Sequence, residues 1–253
     1  MLQLRFPKAA LLRSLSLGLA LLGASVAGAA DLKGTFILDG DVPSPTPVTD
    51  PKVANDFPGQ KLFYQNLVID PVTKAIAYVA VYIKADEFPA TPEAEAAAVP
   101  EVLVDNKGGQ FNPHMTALWV GKQNLFFQNS DPVSHNSNFN LAGVNPLLPP
   151  NSKIPVPVAG TKLLPQEVTC TIHPWMKAYV VPRKHPYVAF SGADGKFVIK
   201  NLPEGVEIEF QAWHEKAGYL AIPQWEKGRF TMTLKAGEND LGEIKVPFAL
   251  LNK

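Results

Sequence analysis

Short runs of apolar residues, bounded by turn-forming residues, make up most of this chain. The run 32–38 is followed by the turn Asp39-Gly40, and the run 75–83 is rich in β-branched and aromatic side chains. Runs of this length and composition predict β-strands. The 24 prolines and 18 glycines also favour short strands and turns over long helices. We therefore expect an all-β protein.

The middle of the chain predicts a β-sandwich of its own, because short strands and turns follow one another regularly there. The expected strands are 102–104, 115–120, 125–128, 135–140, 153–158, 167–172 and 178–181. Before them, the alanine- and proline-rich stretch 87–100 predicts a linker or a short surface helix. The stretch 42–58, rich in proline, serine, threonine and aspartate, is expected to be irregular.

The first thirty residues have the pattern of a secretory signal peptide. Arg5, Lys8 and Arg13 precede the apolar stretch 15–26, which is followed by the small residues 27–30. This predicts a signal peptide over residues 1–30 and an exported protein, periplasmic or extracellular. An uncleaved membrane anchor is the alternative. No later run is long and apolar enough to span a bilayer, so no membrane span is expected after cleavage.

Charge and cysteine content narrow the range of partners and chemistry. Lysine plus arginine and aspartate plus glutamate are balanced at 23 each, which does not favour nucleic-acid binding. Cys170 is the only cysteine. In an oxidising compartment structural cysteines come in pairs, so a single one indicates an intermolecular disulfide, a reactive thiol or a metal ligand.

The surroundings of Cys170 favour the metal. His173 and Met176 follow it at intervals of three residues, and His135 lies upstream at the end of an apolar run. Two imidazoles, a thiolate and a weak axial thioether are the donors of a mononuclear type 1 copper site. We therefore predict copper bound by His135, Cys170 and His173, with Met176 axial.

Three other interpretations remain open for these residues. Cys170 and Met176 could be core residues, with both histidines satisfied by hydrogen bonds. A zinc site could use the cysteine and histidines, although a methionine ligand would be unusual for zinc. A nucleophilic Cys/His pair is the enzymatic alternative, but the two residues are only three apart and no oxyanion motif is present.

The Cys-x2-His-x2-Met spacing resembles the ligand loop of the cupredoxins, in its amicyanin-type form. The resemblance implies a Greek-key β-sandwich over residues 100–184. It also implies that Asn136 ties the strand of His135 to the ligand loop by hydrogen bonds. His173 is expected to be the ligand nearest the surface, and Trp175 to belong to an apolar patch where a redox partner protein docks.

The flanking segments resemble a second family. Residues 193–205 resemble the Asp-Gly-x-Phe-x-Ile-x-x-Leu-Pro-x-Gly signature of carboxypeptidase regulatory-like β-sandwiches, and residues 34–40 resemble their first strand. We predict that residues 31–95 and 186–250 form one such sandwich, with the copper domain inserted between them. Two domains in tandem are the alternative.

Three further histidines resemble positions in exported, methylamine-utilisation-type cupredoxin-like proteins. His114 stands in a Phe-x-Pro-His motif, and that resemblance implies a place near the metal, as a ligand or the partner of one; an ordinary half-buried histidine is the alternative. His185 and His214 also match that pattern, and structural hydrogen bonding is the simpler interpretation of both.

The expected function is single-electron transfer rather than enzymatic catalysis, with copper cycling between Cu(I) and Cu(II). A copper storage, delivery or surface-interaction module is the second hypothesis. A small copper oxidase or reductase with an open coordination position is the third.

Overall fold

A computed structural model describes residues 29–252, and strands dominate its regular structure. The expected all-β architecture is confirmed. The helices of the described residues are short: α1 (Lys52–Asp56), α2 (Pro92–Ala96) and α3 (Phe248–Leu251), with one 3-10 turn at Glu226–Gly228. The predicted signal peptide lies outside the described residues except for Ala29 and Ala30. Within residues 29–252, no helix has the length and apolar character needed to cross a bilayer.

The strands fall into three consecutive groups along the chain. The first group is β1 (Ala29–Asp39) and β2 (Ala80–Ile83). The second group is β3 (Glu101–Asn106), β4 (Phe111–Asn112), β5 (Met115–Trp119), β6 (Asn124–Asn129), β7 (His135–Asn136), β8 (Leu147–Leu148), β9 (Lys153–Val156), β10 (Gln166–Thr169) and β11 (Lys177–Arg183). The third group is β12 (Val188–Phe190), β13 (Lys196–Pro203), β14 (Glu207–His214), β15 (Gly218–Tyr219), β16 (Arg229–Thr233) and β17 (Gly237–Pro247).

The first and third groups combine into one pair of sheets. One sheet has the order β13-β1-β17, and the other has the order β12-β2-β14-β15 with β16 also paired to β14. Strand β1 buries alternate residues, as the period of two in a strand requires. Its Leu32 and Phe36 share a core with Val81 of β2 and with Phe197 and Phe210 from the third group. Segments from both ends of the chain therefore build one core.

The second group forms a separate β-sandwich between these two halves. Its sheets have the orders β4-β3-β6-β9 and β10-β11-β5, and β7 pairs with β8 at one end. Strands β3 and β6 run parallel, as do β11 and β5. Val104, Phe127, Val168 and Val180 lie in the core of this sandwich. The chain thus leaves the first core after β2 and returns to it with β12.

One segment crosses from the first sandwich to the second. Residues 48–62, here called the capping segment, lie between β1 and β2, yet Val53, Phe57 and Leu62 belong to the core of the second sandwich. The sequence pattern instead predicts that these residues belong to the first sandwich, and that the chain is irregular where helix α1 forms. This difference matters because the capping segment lies against the candidate metal centre.

His185 and His214 are fully buried and hydrogen bonded. The Nε2 of His185 lies 2.9 Å from the carbonyl oxygen of Ala85, and its Nδ1 accepts a hydrogen bond from the Tyr187 amide. The Nδ1 of His214 accepts from the Lys216 amide. A neutral ring satisfies these contacts, so both histidines have a structural role in the first sandwich and at its junction with the second.

These buried histidines make stability depend on pH. Burial lowers the pKa of His185 and of His214 to about 4 in each case. Since the unfolded-state pKa is about 6.5, the unfolded chain binds more protons between about pH 6.5 and about pH 4. We expect the free energy of unfolding to fall as the pH is lowered through this window, by up to about 3 kcal/mol for each histidine. Urea unfolding across the window measures this.

The variant His185→Gln isolates one of the two contributions. Because it removes one titrating group, the pH dependence of its unfolding free energy should be shallower than that of the wild type, whatever its stability at neutral pH. Identical pH dependence in the two proteins would contradict the prediction.

Candidate metal centre

The ligand loop connects two paired strands. Cys170 directly follows β10, and the chain turns through His173 to Met176 before β11 begins. The Cys170 amide donates to the Met176 carbonyl at 3.3 Å, and the Met176 amide donates to the His173 carbonyl at 2.9 Å. These bonds close the loop and hold Cys170 and His173 on one side of it.

The strand that carries His135 is fastened to the strand before Cys170. Amide and carbonyl groups of Asn138 and Thr169 exchange two hydrogen bonds, at 2.8 and 3.1 Å. His135 itself lies in β7 and is fully buried. Since Thr169 immediately precedes Cys170, this pairing brings His135 next to the cysteine.

The donor atoms of His135, Cys170 and His173 form a compact triangle. The Sγ of Cys170 lies 3.9 Å from the Nδ1 of each histidine, and the two Nδ1 atoms are 2.9 Å apart. The centre of this triangle is about 2.1 Å from all three atoms, which is close to ordinary metal–nitrogen and metal–thiolate bond lengths. The three residues can therefore all reach one metal ion. They form the one such His/Cys/Asp/Glu group found within residues 29–252.

Both histidines are oriented by carboxylates. The Nε2 of His135 lies 3.0 Å from Oδ2 of Asp131, and the Nε2 of His173 lies 2.9 Å from Oδ2 of Asp56. A carboxylate accepts the Nε2 proton and leaves Nδ1 free to bind a metal. Neither carboxylate is marked by a motif in the sequence.

Asp131 is itself held by a glycine turn. Its carboxylate accepts hydrogen bonds from the amides of Gly108 and Gly109. Burial alone would raise the pKa of Asp131, but the hydrogen bonds from His135 and these amides outweigh it and lower the pKa. Burial likewise opposes a charge on His135, yet the hydrogen bonds to Asp131 and Cys170 raise the pKa of its ring. A metal would therefore displace a proton when it binds.

Asn136 joins the two ligand-bearing segments, as the cupredoxin resemblance implies. Its Oδ1 accepts from the Thr171 amide at 2.9 Å, the Thr171 hydroxyl at 3.0 Å and the Ile172 amide at 3.2 Å. These bonds connect the residue after His135 with the start of the ligand loop. One side-chain oxygen thus reinforces the backbone pairing that brings His135 next to Cys170.

The environment of Cys170 favours its thiolate. Burial by itself would raise the pKa of the thiol, but the hydrogen bonds with His135 and His173 outweigh burial and lower the pKa to about 6. The His173 amide also points at Sγ from 3.4 Å. Thiolate is the form that binds metals, so the site is prepared for metal binding at neutral pH.

Met176 is 1% exposed and lies in the core of the second sandwich with Cys170. Its backbone amide and carbonyl close the ligand loop through bonds to His173 and Cys170. The axial thioether bond expected from the sequence stays a prediction.

The capping segment covers the centre from outside. The ring centroid of Phe57 lies 5.4 Å from that of His173 and 6.3 Å from that of Trp175. His173 is fully buried and Trp175 is 6% exposed, with its indole N–H donating to the Gly109 carbonyl. A segment distant in sequence thus packs over both residues, which does not fit the expected apolar docking patch at Trp175. That His173 is the ligand nearest the surface stays a prediction.

The turn at Gly108 and Gly109 connects the capping segment to the metal ligands. Gly109 has a positive φ of 69°, and a Cβ there would come within 2.8 Å of Leu62 and 3.1 Å of Phe57. Only glycine therefore fits beneath the capping segment.

His114 lies outside the donor triangle. Its Nε2 is 2.6 Å from Oε1 of Glu215, which follows β14 of the first sandwich, and its ring packs 4.6 Å from that of Tyr78. The residue is 2% exposed, and its Nδ1 has no hydrogen-bond partner among the described residues. His114 therefore joins the two sandwiches. Among the described residues it has no contact with the three ligands that would support its expected role near the metal.

Comparison with known proteins finds similarity only among solved structures. No protein-family model and no curated protein matches the chain. The reduced state of one amicyanin mutant matches with 19% identity and a TM-score of 0.30, covering 41% of this chain and 98% of that one. The Cu(I) form of a second amicyanin mutant matches with 21% identity, the same TM-score and the same coverage. The chemistry of the centre has to be inferred from its own geometry.

Removing the Asn136 side chain should destabilise the protein, because the hydrogen bonds between the His135 strand and the ligand loop are lost. In Asn136→Ala the Thr171 and Ile172 donors lose their acceptor, and we expect the metal-free protein to lose about 2–4 kcal/mol of stability. Urea unfolding measures this. Asn140→Ala is the matched control, because Asn140 is exposed on the same stretch of chain. Equal stability of the two variants would contradict the assigned role.

The lowered pKa of Cys170 can be measured directly in the metal-free protein. Thiolate absorbance in the ultraviolet should appear with a midpoint near pH 6. A free cysteine ionises near about pH 8.5. Since Cys170 is the only cysteine, Cys170→Ser should lack the step entirely. A midpoint above about pH 8 would show that the two histidines do not stabilise the thiolate.

Proposed function

We propose that this protein is an exported type 1 copper protein that carries single electrons between redox partners. The observation that supports this most directly is the triangle of two Nδ1 atoms and one Sγ, whose centre lies at bonding distance from all three. Two imidazoles and one thiolate in a plane, with a weak axial ligand, are the donors of type 1 copper. Met176, buried next to Cys170, is the proposed axial residue.

The protein's own contribution is a donor set that is already in place. His135 is held by Asp131, His173 by Asp56, and the Cys170 loop by Asn136. Ligands fixed on paired strands in a buried core move little when the charge of a bound ion changes. Copper, when bound, would supply a one-electron Cu(I)/Cu(II) couple.

Copper storage or delivery without redox turnover is the second candidate, and one observation favours it. His173 is fully buried beneath the capping segment, so the ligand set is closed to solvent. A closed site slows the release of an ion and also lengthens the path to a redox partner.

Loading the protein with Cu(II) tests the proposal. We expect an intense thiolate-to-copper band in the visible spectrum and a narrow copper hyperfine splitting in the electron paramagnetic resonance spectrum, both lost in Cys170→Ser and in His135→Gln. His185→Gln and His114→Gln are matched controls, because these histidines are buried outside the triangle, and both should keep the band.

Rates of electron self-exchange and of copper loss distinguish electron transfer from copper storage. A reversible potential with fast electron self-exchange supports electron transfer. Slow exchange, together with retention of copper against a chelator, supports storage. If the copper spectrum is the same in the wild type and in Cys170→Ser, Cys170 is not a copper ligand, and both candidate functions are refuted.

A further inference from the structure

We infer that Asp56, on the capping segment, is a positioning residue that fixes the metal-binding form of His173 and sets the redox balance of the centre. This inference rests on the proposed function for its redox part and on the metal-free geometry for the rest. Asp56 lies 117 residues before His173 in the chain. No spacing pattern around the ligand loop points to it.

The contact between the two side chains is specific. Oδ2 of Asp56 lies 2.9 Å from Nε2 of His173, whose side chain is 1% exposed. In this geometry the Nε2–H donates to the carboxylate, and Nδ1 is the ring nitrogen that faces Cys170 and His135. A carboxylate in that place selects one tautomer and increases the electron density that the ring donates through Nδ1.

Other contacts of the capping segment hold Asp56 in position. The Lys52 ammonium donates to the Ile172 carbonyl at 2.7 Å, one residue before His173. Phe57 packs edge-on against His173, and Val53 is buried in the core of the second sandwich. The segment is thus attached to the ligand loop on both sides of the Asp56–His173 bond.

Asp56 also differs from the other carboxylate of the centre. The Asp131 side chain is 6% exposed and accepts two backbone amides, whereas the Asp56 side chain is 33% exposed. Asp56 can therefore be replaced without leaving buried amides unpaired. Its negative charge would lie one imidazole ring away from an ion bound at Nδ1, so it should favour Cu(II) over Cu(I) and keep the reduction potential low.

The test uses the full chain with three variants at position 56. Asp56→Asn keeps the volume and removes the charge, Asp56→Ala removes the acceptor, and Asp56→Glu tests rescue by a carboxylate. Asp50→Asn is the matched control, since Asp50 lies on the same segment and its side chain accepts from the Lys52 amide rather than from a ligand histidine. All variants are first compared by circular dichroism and urea unfolding.

The first measurement needs no metal. Nitrogen-15 chemical shifts of His173 in the metal-free protein report which ring nitrogen carries the proton. We expect the Nε2–H form in the wild type and in Asp50→Asn, and a mixture of tautomers in Asp56→Ala. An unchanged tautomer in Asp56→Ala would overturn the positioning role, whether or not the protein binds copper.

The second measurement uses the copper-loaded protein. Loss of a carboxylate that orients a ligand should weaken metal binding by roughly 10- to 100-fold. We expect this in Asp56→Asn, with a more positive reduction potential, partial recovery in Asp56→Glu and no change in Asp50→Asn. A wild-type copper band with unchanged affinity and potential in Asp56→Asn refutes the redox part of the inference alone. A wild type without the band refutes the proposed function, and the tautomer still decides the role of Asp56.

Discussion

The hydrogen bonds from the two histidines to carboxylates are the interactions on which the centre depends. An imidazole can present either ring nitrogen, and a free ring samples both. Asp131 and Asp56 each accept from Nε2, so both rings turn Nδ1 towards Cys170. The sulfur then lies beside both rings, and hydrogen bonds donated by the rings lower the pKa of Cys170 although burial opposes this. The hydrogen bonds to Asp131 and Asp56 therefore determine both the orientation of the ligand rings and the ionisation of Cys170.

The centre is assembled from several separate parts of the chain. The ligand loop and the strand of His135 belong to the second sandwich, whereas Asp56 and Phe57 arrive on a segment that starts and ends in the first. The turn at Gly109 joins these parts: its amide binds Asp131, its carbonyl accepts from Trp175, and its bare Cα allows Phe57 to approach. A change in the packing between the sandwiches would thus reach the metal ligands directly.

Sequence patterns could identify the candidate ligands but not the capping segment that packs over them. Cys170 and His173 were recognisable because their chemistry and spacing are local, and Asn136 because it adjoins His135. Asp56 could not be found in this way, since its contact spans 117 residues and its surroundings have the composition of a loop. The same gap explains why the burial of Trp175 could not be predicted. A loop of this spacing can be exposed or buried, and only the tertiary packing of Phe57 decides which.

The capping segment also determines how the ligands can be reached. Opening it would expose Val53, Phe57 and Leu62, which are 8%, 2% and 7% accessible in the closed form. Each such side chain costs about 1.5–3 kcal/mol to expose, so the open form should hold well under about 1% of the molecules. The segment is also held at both ends by the first sandwich, because its neighbours continue into β1 and β2. The closed form therefore dominates, and in it the Asp56 carboxylate, 33% exposed, connects the buried ring of His173 to solvent.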